Sequence, residues 1–346
     1  MIDISCSIVL FHNPVEEIRK AIESFLSCSK KTKLYLVDNS TEDTLRYEFI
    51  SPRIEYIFNG RNLGFGAGHN IAIQKAKGLS KYHLILNPDI EFDPKTLIGL
   101  FNFMEIRESI GLVMPKILYR NGDIQYLCKK LPSPTDLFLR RFIPAAAKFM
   151  FRKTLEEYEL KNKDYNLPMD VPNLSGCFMF VRTKVFSEIG LFDEQYFLYL
   201  EDTDLCRRIN KYYRTVYYPI VSVIHGYSKS SYKSFRSLYQ HLNSSIKYFN
   251  KWGWFNDKKR TLINQSIMDN TLNPFLQHSV TIASKPVFNK QSTRPEPILV
   301  SVPLDDETEV AVSNAQEEKR SRDSFRKHEA DILSETKQQR SLTIAS

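Results

Sequence analysis

Five stretches of this 346-residue chain carry side chains whose types and spacing could do chemistry. Asp38 ends the apolar run Leu34-Tyr35-Leu36-Val37 and opens Asp38-Asn39-Ser40. A carboxylate at a strand end can accept from a nucleobase imide or a ribose hydroxyl, and the same triplet also makes a good turn. Next comes Asn59-Gly60-Arg61-Asn62-Leu63-Gly64-Phe65-Gly66-Ala67-Gly68-His69-Asn70. Its glycines allow close backbone approach, the helix expected from His69 to Lys77 would point free N–H groups into a crevice, and Arg61 could add charge near a phosphate. The spacing matches neither the Walker pattern nor the dinucleotide fingerprint, and a tight strand-to-helix connection accounts for it as well.

Asn87-Pro88-Asp89 follows the apolar run His83-Leu84-Ile85-Leu86, which places a carboxylate where a hard divalent cation can bind or where a turn needs a cap. Glu91 shares a face with Asp89 if the strand continues, and could supply a further oxygen. Glu201-Asp202-Thr203-Asp204 comes after the aromatic-rich Phe192 to Leu200. Acids among aromatics invite raised pKa values and general-base roles, while the first turn of a helix beginning near Asp202 explains one acid but not three. His225 ends Val221-Ser222-Val223-Ile224, as a metal ligand or as a hydrogen-bonded structural histidine.

The elements that must position these groups alternate strand and helix over the first ninety residues. Asn13-Pro14 predicts a helix start capped by Asn13, with Ile18, Ala21, Ile22, Phe25 and Leu26 on one stripe. Ile54 to Phe58 reads as another strand. Continuous apolar strands alternating with helices imply a parallel sheet covered on both faces, with ligands bound beyond the carboxyl ends of the strands. Residues 137–152 and 239–260 interleave apolar, aromatic and basic side chains, as helices on a membrane surface do. From about residue 265 aromatics nearly vanish, so 266–346 reads as a polar, disordered or weakly helical tail.

Composition is that of a globular protein, 42% hydrophobic and 25% charged, which excludes collagenous, wholly disordered and multi-span membrane classes. The net charge of +8 hides a split: residues 291–346 hold eight basic and eleven acidic side chains, which leaves +11 on residues 1–290. That basic body suits a phosphate-bearing ligand or an anionic membrane surface, and no nucleic-acid motif is present. The five cysteines form no CxxC pair, and Met1-Ile2-Asp3-Ile4 lacks the start of a signal peptide, so a reducing cytoplasmic setting is expected.

Taken in order, Val37 to Ser40, Asn62 to Asn70, Leu86 to Asp89, Leu174-Ser175-Gly176-Cys177-Phe178-Met179, Phe192-Asp193-Glu194 through Cys206 and Ile224-His225 resemble the family 2 inverting glycosyltransferases, and most of all their bacterial rhamnosyltransferase branch. The resemblance runs from about Ser7 to Trp254. It implies an α/β GT-A fold, a mostly parallel central sheet flanked by helices, in a domain of residues 1–265. The nucleotide half would be 1–120, the acceptor half 121–265, and the polar tail would follow. It implies that Asp38, Asn39, Arg61, Asn62, Gly64, Gly66, Asn70 and Asn87 bind the donor nucleotide. Asp89 and His225 would hold a divalent metal, Mg²⁺ or Mn²⁺, Asp202 would be the general base, and Gly176 and Glu201 would meet the acceptor. The donor implied is a nucleotide sugar, with dTDP-rhamnose foremost, and the acceptor a glycan or polyprenyl-diphosphate-linked precursor of a cell-surface polysaccharide such as O-antigen. A lipid-linked acceptor would place the protein peripherally on the cytoplasmic face of the membrane. Position 87 departs from the family's frequent Asp-x-Asp, having asparagine. A non-catalytic sugar-nucleotide-binding or scaffold protein on the same fold is the alternative; a sugar-nucleotide pyrophosphorylase would need a basic glycine-rich signature that Ser7 to Asn13 lacks.

Overall fold

The computed structural model describes residues 1–142, 149–226, 235–271 and 273. Contacts divide the chain into Met1–Lys285 and Pro286–Ser346. The second unit, most of the expected tail, and residues 143–148 of the apolar-basic segment lie outside the described residues. In chain order the elements are β1 (Ile2–Leu10), α1 (Val15–Leu26), β2 (Thr32–Asp38), β3 (Ile54–Phe58), α2 (Phe65–Ala76), β4 (Ser80–Leu86), β5 (Ile90–Phe92), α3 (Pro94–Glu105) and β6 (Ile110–Leu118). There follow α4 (Pro134–Phe142), α5 (Arg152–Tyr158), β7 (Met169–Asp170), β8 (Phe178–Arg182), α6 (Lys184–Ile189), α7 (Glu201–Ile209), β9 (Arg214–His225), α8 (Phe235–Trp252) and α9 (Lys258–Met268).

One sheet runs in the order β3-β2-β1-β4-β8-β6-β9-β5, with β7 also on β9. The first four strands are parallel, with Leu10 opposite Asp38 and Ile8 opposite Leu86. Alternate residues of each strand face opposite sides. Ile4, Cys6, Ile8, Leu34 and Leu36 join the buried stripe of α1 and Leu97 and Leu100 of α3 in the main core. Tyr35 and Val37 meet Ala72 and Ala76 of α2 in a second cluster. Burial on both faces is why these strands read as unbroken apolar runs. The later part of the sheet is mixed: β8 lies antiparallel between β4 and β6, and β5 and β7 run antiparallel to β9.

Two helix starts differ from expectation. Asn13 does not cap α1: its side chain accepts the Phe11 N–H at 2.9 Å, and the helix begins after Pro14 without a side-chain cap. A short polar side chain bonded back to its own turn is lost to the helix. Helix α2 begins at Phe65, not His69, because Gly64 adopts φ 93° and the Phe197 carbonyl accepts the Phe65 N–H at 3.0 Å. That partner lies far along the chain and leaves no local sequence signal. At the other end, α9 continues past residue 265, with Ser266 and Ile267 buried, and the Asn273 side chain donates to the Asn210 carbonyl at 2.9 Å.

Candidate active site

The carboxyl ends of β4, β6 and β9 and the start of β8 meet along one edge of the sheet, where the Asn87 N–H donates to the Cys177 carbonyl at 2.9 Å. A cleft of about 540 Å³ opens there. It is lined by Asn87, Gly176, Glu201, Asp202 and His225, so five of the expected site residues share one space. Asp38, Asn39, Arg61, Asn62, Gly64, Gly66, Asn70 and Asp89 are not among its lining residues.

Asp89 is tied to the cleft through His225. Backbone pairing of β5 with β9 sets Ile90 opposite His225, and Oδ1 of Asp89 lies 3.3 Å from Nε2 of His225. Gln125 determines the state of that ring. Its Nε2 donates to the carbonyls of His225 (3.0 Å) and Leu118 (3.2 Å), which turns Oε1 toward His225 Nδ1 at 3.0 Å. An amide oxygen only accepts, so Nδ1 donates to it, and Nε2 faces Asp89 and the Asn87 amide at 3.5 Å. An imidazole nitrogen and a carboxylate oxygen facing each other form a donor set that fits a divalent cation. Glu91 does not join it, being held by Arg120 (2.9 Å) and Lys20 (3.4 Å). Among the described residues no group of three or more His, Cys, Asp and Glu could hold a metal, so the remaining ligands would come from substrate or water.

The three acids of α7 separate into different jobs. Asp204 is fully buried, with Arg208, Lys251 and the Trp252 indole each at 2.8 Å, and it fastens α7 to its surroundings. Asp202 sits at the cleft with its carboxylate oriented by backbone: Oδ2 accepts the Gly176 N–H at 2.9 Å and Oδ1 the Thr203 N–H at 2.7 Å. A Cβ on residue 176 would stand 3.3 Å from that of Asp202 and 3.2 Å from the Phe65 ring, so glycine is what lets β8, α2 and α7 converge here. Glu201 is buried, and its Oε2 has no hydrogen-bond partner. Burial, and then the neighbouring Asp202 charge, hold its carboxyl well above the usual carboxylate range. Tyr199 and Leu200, at φ 72° and 66°, twist the chain just before these acids. Two consecutive left-handed non-glycine residues store roughly 1–3 kcal/mol each. Helix α8 restrains that turn: Ser244 Oγ donates to the Leu198 carbonyl at 2.8 Å, and the Tyr199 and Ser237 hydroxyls pair at 2.8 Å.

On the β2 side, Asp38 is fully buried, accepting from the Ser40 N–H (2.8 Å) and the Tyr56 hydroxyl (2.7 Å). Asn39 and the glycine turn are built into packing. Asn39 donates to the Gly64 carbonyl at 3.1 Å and accepts from Asn59 at 2.8 Å, while Asn62 caps the Gly64 N–H at 2.9 Å. Cβ atoms at 64 and 66 would strike the Phe197 carbonyl and the Phe192 side chain. Asn70 uses both ends of its amide on residues 192–194. Arg61 is exposed on the turn. Gln125, and Lys129 and His241 on the cleft wall, carry no sequence signal and were not anticipated.

Residues 6–190 match the sequence family described as "Glycosyl transferase family 2". The chain belongs to that family. Over 272 residues this family 2 protein is 26% identical to rhamnosyltransferase WbbL of Escherichia coli, a match covering 75% of this chain and 95% of that one. It is 23% identical over 244 residues to the N-acetylglucosaminyl-diphospho-decaprenol L-rhamnosyltransferase of Mycobacterium tuberculosis, covering 67% and 78%. Against the low-salt glycan biosynthesis hexosyltransferase Agl10 of Haloferax volcanii the identity is 28% over 210 residues, 59% of this chain and 61% of that one, so the family 2 chain spans under two thirds of that relative. The crystal structure of GalNAc-T7 with UDP, GalNAc and Mn²⁺ superposes with a TM-score of 0.54 at 15% identity, over 81% of this chain and 53% of that chain. The α/β arrangement, a central sheet flanked by helices, is the GT-A glycosyltransferase fold.

Proposed function

We propose that this family 2 protein transfers a hexose, rhamnose from dTDP-rhamnose, to a hydroxyl of a lipid-linked glycan precursor with inversion at the anomeric carbon. The observation that carries the reading is the pairing, in one cleft, of a backbone-oriented Asp202 with a His225 whose Nε2 faces Asp89 at 3.3 Å. The sugar and the lipid-linked acceptor are suggested by two relatives named as rhamnosyltransferases, one for a decaprenol-diphosphate substrate.

In this reading the acceptor hydroxyl loses its proton to Asp202, whose oxygens keep lone pairs beyond those used by Gly176 and Thr203. The acceptor oxygen bonds to the anomeric carbon as the bond to the diphosphate oxygen breaks, and the nucleoside diphosphate leaves. A single displacement needs one base carboxylate, which is why the buried Glu201 and the ion-paired Asp204 can take other roles. Asp89 and His225 would hold Mg²⁺ or Mn²⁺, which when bound offsets the charge growing on the leaving diphosphate. Asp38 would receive the base of the nucleotide. Glu201, whose Oε2 has no hydrogen-bond partner, would meet the acceptor at its end of the cleft.

A thermal-shift panel of dTDP-rhamnose, UDP-galactose, UDP-N-acetylglucosamine and GDP-mannose, with and without Mn²⁺, tests the donor. The expected result is a metal-enhanced shift for dTDP-rhamnose alone. A shift for another sugar nucleotide reassigns the donor; binding without turnover on an N-acetylglucosaminyl-diphospho-lipid overturns the transferase reading.

A further inference from the structure

Helix α8 buries one side and leaves the other bare. Ser237, Ser244, Tyr248 and Phe249 face inward. Phe235 (91% exposed), Tyr239 (69%), Leu242 (40%) and Ile246 (48%) face solvent. Spaced four, three and four apart, they form one stripe along a helix about 27 Å long. Beyond Gly253, Trp254 and Phe255 are also exposed, 40% and 80%, with the Trp254 ring 5.2 Å from that of the buried Phe249 and its indole N–H donating to Asn250 Oδ1 at 2.9 Å. Scattered exposed apolar residues need no explanation, but a continuous stripe does.

Charge identifies what covers it. From Phe235 to Arg260 the chain has six basic residues against one acid, Asp257; Arg260 is buried and Lys251 is paired with Asp193 and Asp204, which leaves Arg236, Lys247, Lys258 and Lys259 as the basic flank. Asp257 is buried against Arg207, so it offers solvent no negative charge. An aromatic-aliphatic stripe with basic flanks and no exposed acid is complementary to an anionic bilayer surface, where indole and phenol rings settle at the headgroups.

We propose that this face of α8, with Trp254 and Phe255, docks the protein on an anionic lipid surface. The inward side of the same helix restrains the turn that presents Glu201 and Asp202, and His241 of α8 lines the cleft. Docking therefore sets the catalytic cleft beside the leaflet from which a lipid-linked acceptor is drawn. Among the described residues no helix is long and apolar enough to cross a membrane. The purpose of docking rests on the lipid-linked-acceptor reading; its test uses neither donor nor acceptor, so either can fail alone.

The test is flotation of the full chain with phosphatidylcholine vesicles, with and without phosphatidylglycerol, at low and high salt, alongside sedimentation without lipid. The wild type is expected to float with phosphatidylglycerol vesicles at low salt. The triple variant Phe235→Ser, Tyr239→Ser, Ile246→Ser is expected to lose partitioning by about tenfold or more, with its thermal midpoint and sugar-nucleotide shift unchanged. Should that variant fold poorly, Phe255→Ser, in an exposed loop, is expected to weaken flotation in the same direction. A wild type that stays in the soluble fraction overturns the proposal, as does a well-folded variant that floats as well as the wild type. A variant that floats unchanged but breaks a dimer seen in sedimentation overturns it in favour of contact between copies of this chain.

Discussion

Nε2 of His225 stands 3.3 Å from Oδ1 of Asp89, and Gln125, a hundred residues earlier than the histidine, keeps the proton on the other ring nitrogen. An imidazole nitrogen and a carboxylate oxygen thereby face each other. Gln125→Ala is expected to lower Mn²⁺ affinity in the presence of dTDP by about 10–100-fold. Gln125→Glu would set a carboxylate oxygen against the two carbonyls that accept from Gln125 Nε2, and should lose affinity as well. Titration by electron paramagnetic resonance reads both, and equal affinity in the alanine variant would show that the amide does not govern the ring.

Glu201 gives a pH signature. Above its ordinary value of 4.5 the unfolded chain releases a proton that the folded chain keeps, because burial raises the folded value. Stability contributed by the neutral acid is complete below that pH and declines as pH rises toward the folded value. Glu201→Gln cannot titrate, so its thermal midpoint should gain on the wild type as pH rises above 4.5. A pH-independent difference would contradict a buried neutral carboxyl.

The opposite sign is expected at the centre of the sheet. His83 bridges Ser5 (2.7 Å) and Ser7 (2.9 Å), and Ser7 pairs with His69 at 2.7 Å. Burial lowers His83 from its ordinary 6.5 to about 3 and lowers His69 as well. Below pH 6.5 the unfolded chain takes protons that the folded chain refuses, so stability present above that pH is lost as pH falls. Urea midpoints of His83→Gln should fall less between pH 6.5 and 4 than those of the wild type; parallel curves would remove His83 from the acid sensitivity.

Gly64 and Gly122 share positive φ values, 93° and 87°, but only at 64 does a Cβ meet the Phe197 carbonyl, with nothing within 4 Å at 122. Gly122→Ala should cost about 1 kcal/mol from backbone strain. Gly64→Ala should cost more, about 2–4 kcal/mol, by adding a clash at the start of α2. Urea denaturation of the two variants measures the difference, and equal losses would mean that the turn gives way.

Local pattern made much of the framework legible. β3 falls at Ile54–Phe58, where the sequence reads as a strand, and the α1 stripe is buried at Ile18, Ala21, Ile22 and Phe25. Asn87, Gly176, Glu201, Asp202 and His225 are brought to one cleft from distant segments. What stayed hidden depends on partners far away in the chain. Gln125 is an ordinary amide until β9 brings His225 against it, and the early start of α2 needs the Phe197 carbonyl. The three acids of α7 look alike in a string; only burial of Glu201 and the cations around Asp204 tell them apart.

The most direct test compares wild type, Asp89→Asn and Asp202→Asn for the stabilisation given by Mn²⁺ with dTDP-rhamnose and for turnover on an N-acetylglucosaminyl-diphospho-lipid. Donor at a hundredfold excess over its dissociation constant should stabilise the wild type by about 2.7 kcal/mol. Asp202→Asn should keep that stabilisation while losing turnover by about 10²–10⁴-fold, and Asp89→Asn should lose both. Donor stabilisation that survives in Asp89→Asn, or turnover that survives in Asp202→Asn, would contradict the division of the cleft into a metal-and-donor pair and a single base.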